Sequence, residues 1–311
     1  MLITIVRDFG NERCSRGRVI DRGRCDTGVV SESAPAWEAI VRTVAAGGVT
    51  VLSGAGLSTE SGIPDYRTAA GERRIQPMTA AELLATEQAR QRYWARSYVG
   101  WPRFAAARPN IGHEAVTALQ RAGLVDTIIT QNVDGLHQQA GAHDVLELHG
   151  NLDRVVCMAC GQRFPRVLID ACFEVLNPHF DRSADAALRP DGDVALDDDQ
   201  VRTFRVAHCP ACGSDLLKPD VVMFGESVPR PLVQQCFDAV EKSRSLLVLG
   251  SSLAVMSGYR FVRRAAAHQI PVLAITHGWT RGDAELTAKL DAPLGSSLAD
   301  LVKVVAEPIS A

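Results

Sequence analysis

The chain contains no run of about eighteen apolar residues, the length a helix needs to cross a bilayer, so a helical membrane span is excluded. It carries no large excess of charge of either sign. A formal net charge of −3 over 311 residues offers no surface suited to coating nucleic acid. No apolar core follows the N-terminal arginines, so we expect no secretory signal. No internal repeat is evident, which excludes a repeat array. The cysteines lack the spacing of a disulfide framework. Of the eight, four fall into two Cys-x-x-Cys pairs and Cys14, Cys25, Cys172 and Cys236 are scattered, which fits a metal site in a reducing compartment.

Residues 1–32 differ from the rest. Arg7, Arg13, Arg16, Arg18, Arg22 and Arg24 give them an arginine-rich character without periodicity, and Asp8, Glu12, Asp21 and Asp26 count against an organelle transit peptide. We expect a disordered tail or an over-long gene start. The ordered chain is expected to start near Ser33. Trp37, Ile40, Val41 and Val44 have helical spacing, and Gly47-Gly48 supplies a stop.

What the chain does have is a buried-strand pattern, Val49-Thr50-Val51-Leu52-Ser53, running straight into Gly54-Ala55-Gly56-Leu57-Ser58-Thr59-Glu60-Ser61-Gly62-Ile63-Pro64-Asp65-Tyr66-Arg67. Glycines at the C-terminal end of a parallel strand let the backbone approach a pyrophosphate, and the next helical turn offers free N–H groups. The ordinary dinucleotide fingerprint has a third glycine where Thr59 stands, and an acidic residue on a second strand about twenty residues later. Neither is present, so the segment reads as a nucleotide loop rather than the mark of a hydride-transferring dehydrogenase. A ligand-free strand-to-helix turn is the alternative.

Further strand patterns lie at 126–130, 145–148, 245–250 and 271–275, with helical patterns at 112–121 and 231–242 among them. Alternating β and α predicts a doubly wound, Rossmann-like parallel sheet. The middle of the chain breaks this rhythm with Cys157-Met-Ala-Cys160-Gly and Cys209-Pro-Ala-Cys212-Gly, two matched knuckles whose four thiolates suit one structural Zn²⁺. We expect a Rossmann-like domain over 33–152 and 214–311, with a helical insert at about 70–105, and a smaller zinc module over 153–213. The acidic stretch 181–200 reads as an exposed insert of that module. Two polar clusters end strands: Thr130-Gln131-Asn132-Val133-Asp134-Gly135-Leu136-His137 and Glu147-Leu148-His149-Gly150. Polar residues at strand ends indicate ligand contact. Helix capping is the alternative for Asn132 and Asp134, and a satisfied interior histidine is the alternative for His149.

These motifs, together with Lys218-Pro219-Asp220-Val221-Val222-Met223-Phe224-Gly225-Glu226 and Gly250-Ser251-Ser252-Leu253, occur in an order that resembles the sirtuins over roughly 35–304. The resemblance implies an NAD-consuming protein-lysine deacylase with a cleft between a large Rossmann-like domain and a small zinc domain. It implies cofactor contacts at Gly54, Ala55, Gly56, Ser58, Ile63, Pro64, Asp65, Tyr66, Arg67, Gln131, Gly250, Ser251 and Ser252. It implies a nicotinamide pocket at Ile63, Asn132 and Asp134. On the adenosine side it implies Thr276, His277, Gly278 and Leu294. His149 takes the place of the general base, with Asn132 and Asp134 beside it in the catalytic set. Phe224, Gly225 and Glu226 take the place of a strand that pairs with the peptide, and Val222 that of an acceptor for the acyl-lysine N–H.

Arg90 to Arg96 with Val99-Gly100-Trp101, and the region of Asn177-Pro178, resemble the class II branch. Members of that branch are weak on acetyl-lysine and are credited with removing lipoyl, biotinyl and branched dicarboxylic acyl groups. Tyr93 and Arg96 share a helix face and have the spacing that acid-specific sirtuins use to hold an acyl carboxylate; an amphipathic helix is the alternative. Deacylation leads, with mono-ADP-ribosyl transfer or an idle NAD-binding module as the other readings. Acylated proteins are the expected partners, with neither nucleic acid nor membrane. A monomer in the cytoplasm is expected.

Overall fold

The computed structural model describes residues 33–183 and 186–306, and the expected N-terminal tail lies outside them. In chain order the elements are α1 (Ser33–Ala45), β1 (Val49–Ser53), a 3-10 turn over Ala55–Ser61, α2 (Ala80–Ala85), α3 (Glu87–Ala105), α4 (Ile111–Arg121), β2 (Val125–Thr130), α5 (Leu136–Gln139), β3 (Val145–Glu147), β4 (Gly150–Cys157), β5 (Arg163–Pro165), α6 (Arg166–Leu176), α7 (Asp198–Thr203), β6 (Leu217–Val221), α8 (Arg230–Lys242), β7 (Ser245–Leu249), α9 (Met256–Ala267), β8 (Val272–Ile275), β9 (Ala288–Leu290) and α10 (Leu294–Val305).

Six strands form one parallel sheet in the order β3-β2-β1-β7-β8-β9. The first strand among the described residues thus sits mid-sheet, and the order reverses between β1 and β7. Such a switch point opens a crevice at the strands' C-terminal ends. Both faces are covered, which is why β1, β7 and β8 are apolar without alternation. Val49, Val51, Leu247, Leu249, Leu273 and Ile275 pack on one face with residues of α1, α4 and α10. Leu52, Ile129, Leu246, Val248 and Ala274 pack on the other with residues of α8 and α9. The edge strand β9 was not anticipated; Ala288-Lys289-Leu290 has no β-branched run, and only its pairing with β8 makes it a strand.

A second, antiparallel sheet has the order β5-β4-β6. Because β6 pairs with β4, the small sheet reaches past the boundary expected at 213. The helical insert also packs there. Tyr93, Trp94 and Tyr98 of α3 share a core with Phe173, Phe204 and Leu217, and the Trp94 indole donates to the Leu217 carbonyl at 3.2 Å. The small lobe is therefore assembled from three separated stretches of chain.

The acidic stretch corrects our expectation. Asp197, Asp198 and Asp199 are exposed and open α7, with Asp197 as its cap. Pro190, Gly192, Asp193 and Val194 are buried against α3. A Cβ on Gly100 would stand 2.3 Å from the Gly192 carbonyl oxygen, so only glycine at 100 lets this segment lie on the helix. Charge alone suggested a solvated insert; its partner, Arg96, comes from another part of the chain.

Candidate active site

The cleft opens where β1 and β7 end. Gly54 N donates to Leu249 O at 2.9 Å and Gly56 N to Gly250 O at 2.8 Å, which binds the two strand ends together. A Cβ on Gly56 would lie 2.8 Å from that carbonyl oxygen, so the glycine is needed for the approach. The cleft has a volume of about 850 Å³, in the range of a cofactor pocket. Ala55, Ser58, Ile63, Pro64, Asp65, Tyr66 and Arg67 line it, as do Gln131, Asn132, Asp134 and His149. Gly54, Gly56, Gly250, Ser251 and Ser252 form the rim at the strand ends, and Thr276, His277 and Leu294 lie further along.

Gln131 to Asp134 form a network with the cofactor loop. Asn132 Nδ2 donates to Gly54 O at 3.1 Å and to Ser58 Oγ at 3.0 Å, and Ser58 Oγ donates to Asp134 Oδ2 at 2.7 Å. Asp134 Oδ1 accepts from Leu136 N at 2.9 Å, so the capping reading and the site reading both describe it. Burial pushes the Asp134 carboxyl up, while its bonds from Leu136 and Ser58 pull it back down. Gln131 Nε2 donates to Ser251 Oγ at 2.9 Å and ties β2 to the rim after β7.

His149 is held at both ring nitrogens. Nδ1 lies 2.9 Å from the Gln131 carbonyl oxygen, and Nε2 lies 2.9 Å from Ser257 Oγ. A carbonyl only accepts, so Nδ1 carries the hydrogen and the neutral ring keeps its lone pair on Nε2. Burial lowers the His149 pKa; the Gln131 bond opposes this, and the positive charge of Arg260 adds to the lowering. The imidazole is therefore neutral at physiological pH, the state a base needs. Gly150 follows at φ 79°, and a Cβ there would sit 2.1 Å from the Asp220 carbonyl oxygen. This turn delivers His149 to the cleft and starts β4.

The substrate-side residues divide. Val222 N donates to His149 O at 2.8 Å, and Val222, Phe224, Gly225 and Glu226 line the cleft. Part of this segment is already bonded internally. The Phe224 carbonyl accepts from Ala80 N and Glu226 N donates to Met223 O, both at 3.0 Å. The Glu226 carboxylate is held by Lys218 Nζ at 2.7 Å, so its side chain braces the loop. Tyr93 is buried and lines the cleft. Arg96 does not. Its guanidinium pairs with Asp193 at 2.7 Å and donates to Val194 O at 2.9 Å, which corrects its placement as a free acyl-carboxylate receptor. Gly278 also stands off the cleft wall, donating to Asp291 Oδ2 at 3.1 Å behind His277. Reading the sequence missed Ser257, Arg260, Trp279 and Asp191, all of which line the cleft. None lies in a motif whose chemistry marks it.

In the small lobe, the sulfurs of Cys157, Cys160, Cys209 and Cys212 all lie within 4.8 Å of one another. Cys157 and Cys212 are 3.7 Å apart, and Cys160 and Cys209 are 3.8 Å apart. A tetrahedral Zn²⁺ with bonds of about 2.3 Å spaces its sulfurs by about 3.8 Å, so the four thiols fit that ion. The knuckles close alike: Gly161 N donates to Cys157 O at 2.8 Å, and Gly213 N to Cys209 O at 2.9 Å.

Comparison with known proteins agrees with this geometry. Residues 54–257 match the Sir2 family. The chain is 54% identical over 254 residues to NAD-dependent protein deacetylase 1 of Streptomyces coelicolor, covering 81% of this chain and 84% of that one. It is 49% identical over 252 residues to an NAD-dependent protein deacetylase of Xanthomonas campestris, covering 81% and 85%. A solved structure described under the mechanism and regulation of Sir2 enzymes superposes with a TM-score of 0.68 at 26% identity, covering 88% of this chain and 98% of that one. A mutant Sir2 homologue solved with ADP-ribose gives 0.67 at 27%, covering 86% and 96%. With a nucleotide loop, a tautomer-fixed histidine and a four-cysteine module in one ordered chain, this protein belongs to the Sir2 family.

Proposed function

We propose that the chain is an NAD-dependent protein-lysine deacylase of the deacetylase type, releasing free lysine, nicotinamide and 2′-O-acyl-ADP-ribose. One observation carries the reading. His149 presents a lone pair on Nε2 inside the same cleft as the Gly54–Arg67 loop and the Val222–Glu226 segment.

NAD is the co-substrate, and it supplies the ribose carbon to which the acyl oxygen is transferred. The chain's own residues set the stage. Asn132, Asp134 and Ile63 are proposed to enclose the nicotinamide end, where a buried wall keeps water from the ribose as it gains positive charge. The Ser58–Asn132–Asp134 bonds hold that wall in register with the loop. His149 Nε2 takes a proton from a ribose hydroxyl so that the hydroxyl oxygen can attack the acyl carbon, after which one water adds and the lysine amine leaves. Gln131 O keeps the ring oriented as Nε2 gains that proton. The Val222 carbonyl accepts the acyl-lysine N–H, and backbone groups of Phe224 and Gly225 other than the Phe224 carbonyl, which Ala80 occupies, pair with the peptide. Zinc ties the two knuckles of the small lobe and takes no part in the chemistry.

Two solved Sir2 relatives of the fold hold a p53 peptide with NAD+ or an acetyl ADP-ribose product, according to their descriptions. Those properties belong to those proteins, and they support a protein substrate here. Among the described residues no helix is long and apolar enough to cross a membrane. We place the protein in the cytoplasm, where a reducing medium keeps the zinc thiolates available; recovery in an exported fraction would contradict this. The test of the activity is mass spectrometry of acyl-lysine peptides incubated with NAD. Acyl loss matched by O-acyl-ADP-ribose is expected. Nicotinamide release without acyl loss would point instead to ADP-ribosyl transfer.

A further inference from the structure

The loop beside the peptide segment carries a charge pair that the deacylase reading leaves unexplained. Residues 66–74 fold back as a hairpin. Thr68 N donates to Glu72 O at 2.9 Å and Arg74 N to Tyr66 O at 3.0 Å, so Arg67 and Arg73 stand directly opposite each other. Like charges so placed repel. Both arginines line the cleft, and both bond only neutral acceptors: Arg67 Nη1 donates to Gly71 O at 2.7 Å, and Arg73 Nη1 to Gln76 Oε1 at 2.9 Å. Among the described residues neither has a carboxylate partner. The adjoining acids are used or face elsewhere. Asp65 is taken by Arg74 at 2.8 Å, and Glu72 is exposed and does not line the cleft.

Arg73 differs from Arg67 in what it rests on. Its guanidinium carbon lies 5.5 Å from the centre of the Phe224 ring, and that ring meets Tyr66 edge-on at 5.9 Å. The charge is thus held over the segment assigned to the peptide. The one acid of that segment is spent: the Glu226 carboxylate accepts from Lys218 Nζ at 2.7 Å and from Met223 N at 2.8 Å. An extended peptide advances about 3.3 Å per residue, so with the acyl-lysine held at Val222, a residue one or two positions away comes alongside Phe224. A carboxylate there meets the Arg73 guanidinium, and a lysine there meets a like charge.

We propose that Arg73 is a specificity-determining residue that selects acylated proteins with an Asp or Glu one or two positions from the modified lysine. This rests on the deacylase reading for the occupant of the groove as an acyl-lysine peptide. The test uses labelled acetyl-lysine peptides that differ only in carrying Asp, Asn or Lys at one flanking position, taken two residues to either side. Affinities come from fluorescence anisotropy on the full chain without NAD, and turnover is then followed with NAD. At low salt, wild type should prefer Asp to Asn by about threefold to fivefold at one or more positions, and should bind the Lys peptide most weakly. The preference should shrink to under about 1.5-fold in roughly 0.5 M NaCl, because exposed charges are screened. Arg73→Gln should bring Asp and Asn peptides to within about 1.5-fold at low salt. Arg73→Glu should reverse the order and favour Lys, which a mere loss of packing on Phe224 would not do. Should that variant fold poorly, the wild-type salt series and Arg73→Gln decide. No Asp preference at any position in wild type overturns the proposal, as does failure of every peptide to bind. An unchanged ratio in folded Arg73→Gln overturns it, and weaker NAD binding in that variant would then assign Arg73 to the diphosphate. Acyl loss at equal efficiency from all three peptides keeps the deacylase reading and removes this one. An Asp preference in binding with no acyl loss on adding NAD supports this proposal and removes the deacylase reading.

Discussion

The large sheet and the small lobe are built on different principles. The central strands β1, β7 and β8 of the large sheet are apolar runs that identify themselves in the sequence. The small lobe draws its core from α2–α3, from β4 to α6 and from the segment leading through α7 to β6. It owes its cohesion to four thiolates, an aromatic cluster and paired charges such as Arg90–Asp215 and Arg96–Asp193. One half is stabilised by burial on two faces of a sheet. The other depends on specific polar and metal contacts, and it is the half that shapes the substrate side of the cleft.

The sharpest break in this comparison lies at the junction of the two, at His149. His149→Ala should lower deacylation by about 10²- to 10⁴-fold, the range for a general base, while the melting temperature stays close to wild type. Unchanged turnover would end the base assignment. In the wild type, burial sets the His149 pKa below its ordinary value, so the acid limb of kcat/KM should fall below pH 6.5.

Removal of zinc separates the lobes. Treatment with a strong chelator should deprotect amides of β4 and β6 in hydrogen exchange while β1 and β7 stay protected, because only the small sheet carries the knuckles. Full activity in a verified metal-free sample would show that the ion is dispensable.

The large sheet has its own weak point, in acid. His113 and His137 are buried, their rings 5.2 Å apart, and His137 Nε2 lies 2.9 Å from Ser53 Oγ at the end of β1. Burial lowers His113 to about 4, and burial with the neighbouring His113 lowers His137 to about 3. Folded pKa values below the unfolded one mean that the unfolded chain binds more protons as pH falls. Stability is thus complete above about pH 6.5 and declines below it, by about 1.4 kcal/mol per pH unit for each histidine, until the folded values are reached. Denaturant titrations of wild type and His113→Gln at pH 7 and pH 5 should show the variant losing less. Equal losses would remove His113 from the acid response.

The smallest effect concerns Ser257. Ser257→Ala removes one neutral hydrogen bond from His149, worth about 1 kcal/mol, so kcat should fall roughly fivefold while the KM for NAD holds. Ser257→Thr should restore most of it. A changed KM with intact kcat would make Ser257 a binding residue instead.

The sequence by itself determined the parallel sheet, the glycine-rich loop and the four-cysteine cluster. Each is written locally: apolar runs identify buried strands, a Gly-Ala-Gly follows its strand directly, and cysteines two residues apart share one turn. Tertiary structure decided what depends on charges meeting across the chain. Arg96 and Tyr93 share a helix face, yet only the arrival of Asp193 from the acidic stretch shows that the guanidinium is taken. The same stretch looked solvated from its composition, because sequence displays charge and conceals its partner. Ser257, in the first turn of α9, became a neighbour of His149 only in the folded chain, and the need for glycine at 150 shows only where β4 meets Asp220. Local pattern fixes elements because hydrogen bonds and side-chain periodicity act over a few residues. Which charges neutralise one another depends on distance in space, and that was settled only when separated stretches of the chain folded against each other.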